Sequence, residues 1–432
     1  MNFIKRKIRT ILSLSMAREM FLYGVANTIG YISSFIAVFF VARYLGPSNL
    51  GLYSFVQNYS ALYITIVGGA DYYYSWSIAR AEDKFASIRE YIKHKFFLAS
   101  FLTLIGIILA HVTLPSDVFT LVCIFMAPLF LQSLSAFQLY SLYEKKAKLV
   151  STMQSISATI SLLLKLTLIY LGADLKYFIF VAGLDVVMIC VLFAAYFMSN
   201  SYYRSRLLQI NRIKMSHMFI YFKKFNFFKS VSASTIFFWN IKTSILAIFL
   251  WQLLLRADQL ILAAVSNAFT MGIYAAAVKV AEIPNALAGI IYLTLIGRMT
   301  HMLDANTRES KEKVKKIFYF YIFLGSIISV FIFIFAPLVI NIIYGEKFLG
   351  AENVLRIYAL SIPAMYALYY YFSVFGSQNR HKLQIIIFVI SVILNIILVL
   401  TLTPIFSLIG TAWATVISYT FAALMFYVYS EK

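Results

Sequence analysis

Twelve hydrophobic stretches, near residues 20–43, 49–79, 96–114, 118–142, 149–171, 175–198, 235–265, 271–297, 317–343, 354–376, 383–403 and 407–429, run through this sequence with little between them. A spanning helix needs about 20 predominantly apolar residues to cross a hydrocarbon core of about 30 Å, and each stretch is close to that length or longer. Only 12% of the residues are charged and 62% are hydrophobic, far from the roughly one-quarter charged balance of a soluble domain. The chain therefore reads as an all-α polytopic membrane protein. Lys5, Arg6, Lys7, Arg9 and Arg18 lead straight into the first full-length stretch. That is not the pattern of a cleaved signal peptide, so the N-terminus is expected to be retained.

The basic residues sort by side. Placing the N-terminus inside puts Arg80, Lys84, Arg89, Lys93 and Lys95 in one cytoplasmic connection and Lys145, Lys146 and Lys148 in the next. Seven more lie between Arg204 and Lys229, six between Arg298 and Lys316, and Arg380 and Lys382 close the set. The opposite side keeps Arg43, Lys176, Lys347 and Arg356. This asymmetry follows the positive-inside rule and places both termini in the cytoplasm. It also explains most of the net charge of +20 without any nucleic-acid partner. Cys123 and Cys190 fall inside apolar stretches, where a thiol behaves as a small hydrophobe, so no disulfide is expected.

Residues 1–198 and 233–432 each hold six stretches, joined by a basic linker, 199–232. Its Lys and aromatic residues suit an anionic membrane surface. The halves echo each other: Gly51 and Gly272 lie at matching places 221 residues apart, and Lys148-Leu149 and Lys382-Leu383 open matching stretches. A six-helix unit used twice gives parallel repeats about an axis along the membrane normal, with substrate sites expected between the halves.

Charges inside the apolar stretches carry the functional signal, because each costs a few kcal/mol or more unless paired or wetted. On a helix, residues three or four apart share a face. Gln252, Arg256 and Gln259 thus form one polar stripe, Asp258 points elsewhere, and Lys279 can neutralise Glu282. Since no acid shares its own helical face, Arg256 is the leading candidate for an anionic ligand, with Lys165, Lys279 and Lys242 in support. Gln154, Ser157, Ser161 and Lys165 make a polar face expected to look at a cavity, and Asp185 lies close enough in topology to pair with Lys165. Asn27 and Tyr31 belong to a polar-aromatic face that could bind sugar, and Ser54 and Asn58 to a small-polar one. Asp258, Glu282 and Asp185 are candidates for coupling to H⁺ or Na⁺. Asp71 is expected to be solvated, and Tyr366, Tyr369, Tyr370 and Tyr371 are the weakest candidates for a sugar-facing wall, because aromatics also gather in interfacial belts. No phosphate loop or metal-spaced His/Cys cluster is present, so neither an enzyme nor a cofactor or metal is expected.

Five stretches resemble a known family. They are Ala42–Tyr53, Leu255–Leu260 with Met271–Pro284, Ile343–Phe348, Asn395, and Gly410–Ser418. Together, over essentially the whole chain, they resemble the Wzx-type oligosaccharide flippases of the multidrug/oligosaccharidyl-lipid/polysaccharide exporter superfamily. The chain departs from that pattern at Trp413, where a small residue is usual, and at Val399, where a second Asn is common. The resemblance implies two six-helix lobes forming a V around a central cavity, in a bacterial inner membrane. It also implies a substrate of undecaprenyl diphosphate bearing an O-antigen or similar repeat unit, and association with polysaccharide polymerase machinery. A cation or drug antiporter of the same superfamily would want an acidic cavity. Against that, four embedded bases (Lys165, Lys242, Arg256, Lys279) face three acids. A membrane polymerase or glycosyltransferase would be expected to carry a long extracytoplasmic loop, and a lipid II flippase two further helices.

Overall fold

In a bilayer every backbone N–H and C=O has to be bonded within its own segment, which makes helices the forced solution for apolar stretches of this length. The structure, a computed structural model, describes the backbone of residues 2–80, 83–144, 146–203, 227–305, 307–378 and 380–430. Side chains are described within these ranges except at 2–29, 31–32, 72–73, 75–80, 147, 227–241, 244, 286, 290, 292–298, 300–301 and 304. Every element among the described residues is helical. In order these are α1 (Asn2–Arg80), α2 (Lys84–Thr113), α3 (Ser116–Met126), α4 (Ser135–Tyr143), α5 (Ala147–Tyr170), α6 (Leu175–Ser199), α7 (Phe227–Val265), α8 (Ala268–Ala305), α9 (Arg308–Tyr344), α10 (Ala351–Ala359), α11 (Ile362–Ser377) and α12 (His381–Ser430). The basic linker lies largely outside the described residues.

Eight stretches among the described residues are long and apolar enough to cross a membrane. They overlap ten of the twelve segments expected from sequence. Of the other two, 271–297 falls on α8 and 354–376 is divided between α10 and α11. Two elements are double length. At 50 residues, α12 would extend about 75 Å at 1.5 Å per residue if straight, more than twice a hydrocarbon core. It breaks instead at Ser407 (φ 54°, ψ −137°), three residues after Pro404. Likewise α1 breaks at Gly46 (φ 69°, ψ 177°), a conformation open to glycine and costly for other residues. Pro47 then restarts the helix at a position where its missing N–H is no loss.

The chain divides into two compact units, Met1–Val41 with Ile66–Ile241, and Ala42–Thr65 with Lys242–Lys432. The segment Ala42–Thr65 packs with the second unit. Glycine explains why this segment joins the second unit. A Cβ on Gly51 would lie 2.0 Å from the Ala268 carbonyl oxygen, and one on Gly272 only 1.8 Å from the Pro47 carbonyl oxygen. The two backbones approach as only helices without side chains at the crossing can. Nearby, Arg43 Nε donates to the Ile343 carbonyl at 2.9 Å and Nη2 to the Ile342 carbonyl at 2.5 Å, satisfying acceptors that the end of α9 leaves without helical partners.

Each unit packs around aromatics. In the first, Tyr74 stacks on Tyr91 at 3.8 Å between ring centroids, within a core that includes Phe137, Tyr140, Phe193 and Phe197. In the second, Tyr371 and Phe426 stack at 5.9 Å, and Tyr366 and Tyr370 are buried with them. Tyr366 donates to the Pro284 carbonyl at 2.7 Å and Tyr370 to that of Val314 at 3.3 Å. Tyr366 and Tyr370 are therefore core residues, each with its hydroxyl bonded to a helix carbonyl. On α9 the exposed face (Phe320, Phe323, Ile327, Val330, Phe331, Ile334, Leu338) is as apolar as the buried one, as lipid requires. Trp413 is 41% exposed while Ala412 and Ala414 are fully buried. The large residue thus stands on the outer face and leaves the close helix contact to its small neighbours.

Candidate functional site

Embedded charges in the second unit sort into three groups. Arg256 on α7 donates through Nη1 to Glu282 Oε1 on α8 at 2.5 Å, with side-chain exposures of 20% and 26%. The guanidinium Nε is buried and has no partner. By spacing, Glu282 can be neutralised by Lys279 on its own helix. Its partner is instead Arg256 across the helix pair, and Lys279 Nζ donates to Gln57 Oε1 at 3.0 Å. Helical spacing identified the two residues that can meet on one face but carried no information on the neighbouring helix.

Asp258 is fully buried. It accepts from the Tyr274 hydroxyl at 2.6 Å, the Thr415 hydroxyl at 3.0 Å and the Gln259 backbone N–H at 2.7 Å. All three donors are neutral, and among the described residues no ion pair reaches this carboxylate. Gln259 accepts from Asn58 Nδ2 at 2.8 Å, while its own Nε2 is buried without a partner. Gln252 is half-buried and Lys242 is exposed. The side chains of Asn27 and Tyr31 lie outside the described residues.

In the first unit, Lys165 Nζ meets Asp185 Oδ2 at 2.5 Å, the pairing that their topology allowed. Asp185 Oδ1 and Gln154 Oε1 are buried without partners. The polar face of α5 was expected to look at a cavity. Along that face Ser157, Ser161 and Lys165 are buried and Gln154 is half-buried. A second pair went unrecognised in the sequence. Lys95, assigned to a cytoplasmic loop, has a side chain with 0% exposure, and its Nζ lies 2.5 Å from Oδ1 of Asp71, itself 27% exposed. The same oxygen accepts from the Tyr91 and Ser135 hydroxyls. Asp71 is therefore a bonded, partly buried acid and not the solvated one expected. At the end of this unit Lys146 donates to the Tyr203 hydroxyl. That bond raises its pKa above the ordinary lysine value, ahead of the opposing effect of desolvation.

Partners missed in the sequence were nonetheless inside its noted stretches: Tyr274 in Met271–Pro284, Thr415 in Gly410–Ser418, and Asn58 on the small-polar face of the second segment. What the arrangement offers chemically is one half-buried cation with a buried, unpartnered Nε donor, near a buried acid held by neutral donors. The first suits an anion, and the second suits a small cation or a proton.

Solved structures share this architecture. The lipid II flippase MurJ in an inward closed conformation matches with a TM-score of 0.69 at 13% identity, over 95% of this chain and 88% of that one. An inward-facing multidrug resistance MATE family transporter of the MOP superfamily matches with a TM-score of 0.70 at 14% identity, over 95% and 97% of the two chains. A MOP superfamily transporter from Pyrococcus furiosus, described as having a binding pocket of reverse polarity that suggests a different function, matches with a TM-score of 0.63 at 14% identity, over 96% and 93%. The fold is thus the MurJ- and MATE-like helical bundle of a multi-pass membrane protein. Comparison with curated proteins finds no match in sequence. A profile for the family described as polysaccharide biosynthesis protein matches residues 16–303, and the chain belongs to that family.

Proposed function

We propose that this protein is a transporter and not an enzyme, and that it moves undecaprenyl-diphosphate-linked oligosaccharide repeat units, of O-antigen or a similar surface polysaccharide, by alternating access. The direction is from the cytoplasmic to the periplasmic leaflet of a bacterial inner membrane, with both termini cytoplasmic. The observation that carries this reading is Arg256, a half-buried guanidinium with an unpartnered donor edge, in a chain of the polysaccharide biosynthesis family. A diphosphate-sugar headgroup cannot cross about 30 Å of hydrocarbon unaided, since each polar group left unbonded there costs several kcal/mol. Arginine, with its planar fork of donors, is the side chain best matched to phosphate oxygens. Outward movement of a negative headgroup is assisted by an inside-negative potential at about 2.3 kcal/mol per charge per 100 mV. Asp258 is the leading site for a coupling H⁺ or Na⁺, because its donors are neutral and its burial is complete.

In proteoliposomes loaded with a polyprenyl-diphosphate sugar, the wild-type protein is expected to expose sugar on the opposite leaflet, and Arg256→Ala to reduce that rate at least tenfold. Asp258→Asn is expected to remove the response to an imposed proton or sodium gradient. The MATE-like fold supports a second reading, an organic-cation antiporter. Proton-driven uptake of cations without any lipid translocation would establish that reading and exclude the first.

A further inference from the structure

We propose that Glu282 is a release residue: a like charge held against the guanidinium that weakens the grip of Arg256 on an anionic headgroup and so lets the diphosphate leave. The inference rests on the lipid-diphosphate reading above and concerns the regulation of that same site. A carrier that binds its cargo through a half-buried arginine, away from competing water, faces a difficulty at the exit. Charge-assisted bonds that draw the phosphate in also hold it there. Glu282 is placed to counter this. Its carboxylate sits on Nη1 at 2.5 Å, while Nε, on the other edge of the same fork, is buried and unpartnered. An anion bonding to that unpartnered edge, once the buried Nε is uncovered, lies within about 6 Å of the carboxylate, where like charges still repel strongly in a medium less polar than water.

The other charged groups nearby are engaged differently. Asp258 is held by Tyr274, Thr415 and a backbone N–H, and Lys279 reaches Gln57. Glu282 also stands two residues before Pro284, which supplies no N–H to the Val280 carbonyl and leaves the helix one rung short at this turn. The carboxylate can therefore shift without breaking a complete helical ladder.

The test uses the full chain in nanodiscs, with undecaprenyl diphosphate as the binding probe and undecaprenol as its uncharged control. Glu282→Gln, with a melting temperature near that of wild type, is expected to bind the diphosphate about tenfold more tightly yet translocate the lipid-linked sugar several-fold more slowly. A purely structural role would weaken both. Glu282→Asp, which withdraws the charge by one methylene, is expected to fall between the two, and it carries the test if the glutamine variant does not fold. Equal or weaker binding in the folded variants overturns the proposal. If Arg256→Gln leaves diphosphate binding no different from wild type, the headgroup reading itself falls. If Arg256→Gln weakens binding but Glu282→Gln does not tighten it, only the release role falls.

Discussion

Lys95→Met is expected to cost about 3 kcal/mol of stability, because breaking a buried pair leaves its other charge without compensation. Lys95 has no exposed side-chain surface, and its ammonium, the Tyr91 hydroxyl and the Ser135 hydroxyl all converge on one oxygen of Asp71. Methionine keeps the volume and loses the charge. The cluster is then left with an anion served by two neutral donors. The decisive measurement is a double-mutant cycle in detergent: Lys95→Met combined with Asp71→Asn is expected to recover at least half of the loss, since a well-packed neutral pair avoids the desolvation of both ions. Should Lys95→Met melt with wild type, the pair would be shown to contribute nothing net.

Gly272→Ala is the second large effect. One methyl group would be placed 1.8 Å from the carbonyl oxygen of Pro47, a backbone atom with no rotamer to escape into, so the crossing helices have to separate. Overpacking of this kind costs about 1–3 kcal/mol, occasionally more, and we expect the upper end here. Gly289→Ala is the control. Its Cβ would meet nothing nearer than a ring carbon of Tyr369 at 3.9 Å, and alanine is the better helix former by about 1 kcal/mol. A melting temperature lowered in Gly272→Ala and unchanged or raised in Gly289→Ala is the expected pair of results. Equal melting of Gly272→Ala and wild type would show that the crossing opens without cost.

Apolar length and charge asymmetry made the helices legible from the sequence, because hydrocarbon thickness acts on one segment at a time. Pairing between helices is a tertiary fact, and there the sequence was only partly informative. The partnership of Lys165 and Asp185 followed from adjacent segments. That of Arg256 with Glu282 did not, since nothing in the spacing of α8 distinguishes a carboxylate facing Lys279 from one facing the neighbouring helix. Lys95 was misplaced for a simpler reason: a lysine at the edge of an apolar stretch reads as a loop residue unless the acid that draws it inward is known. The tyrosines of α11 show the same limit. Tyr366, Tyr370 and Tyr371 have the composition of an interfacial belt and the position of a core.

The contact between Gly51 and Gly272 is reciprocal. Each glycine faces the carbonyl of the residue four positions before the other, Ala268 in one case and Pro47 in the other, and both correspondences share the offset of 221 residues. This is the form of an isologous interface, in which one patch meets its own copy across a two-fold axis. Here both copies lie in one polypeptide. A helix crossing of this form is what a repeated unit presents when it meets its own copy within one chain.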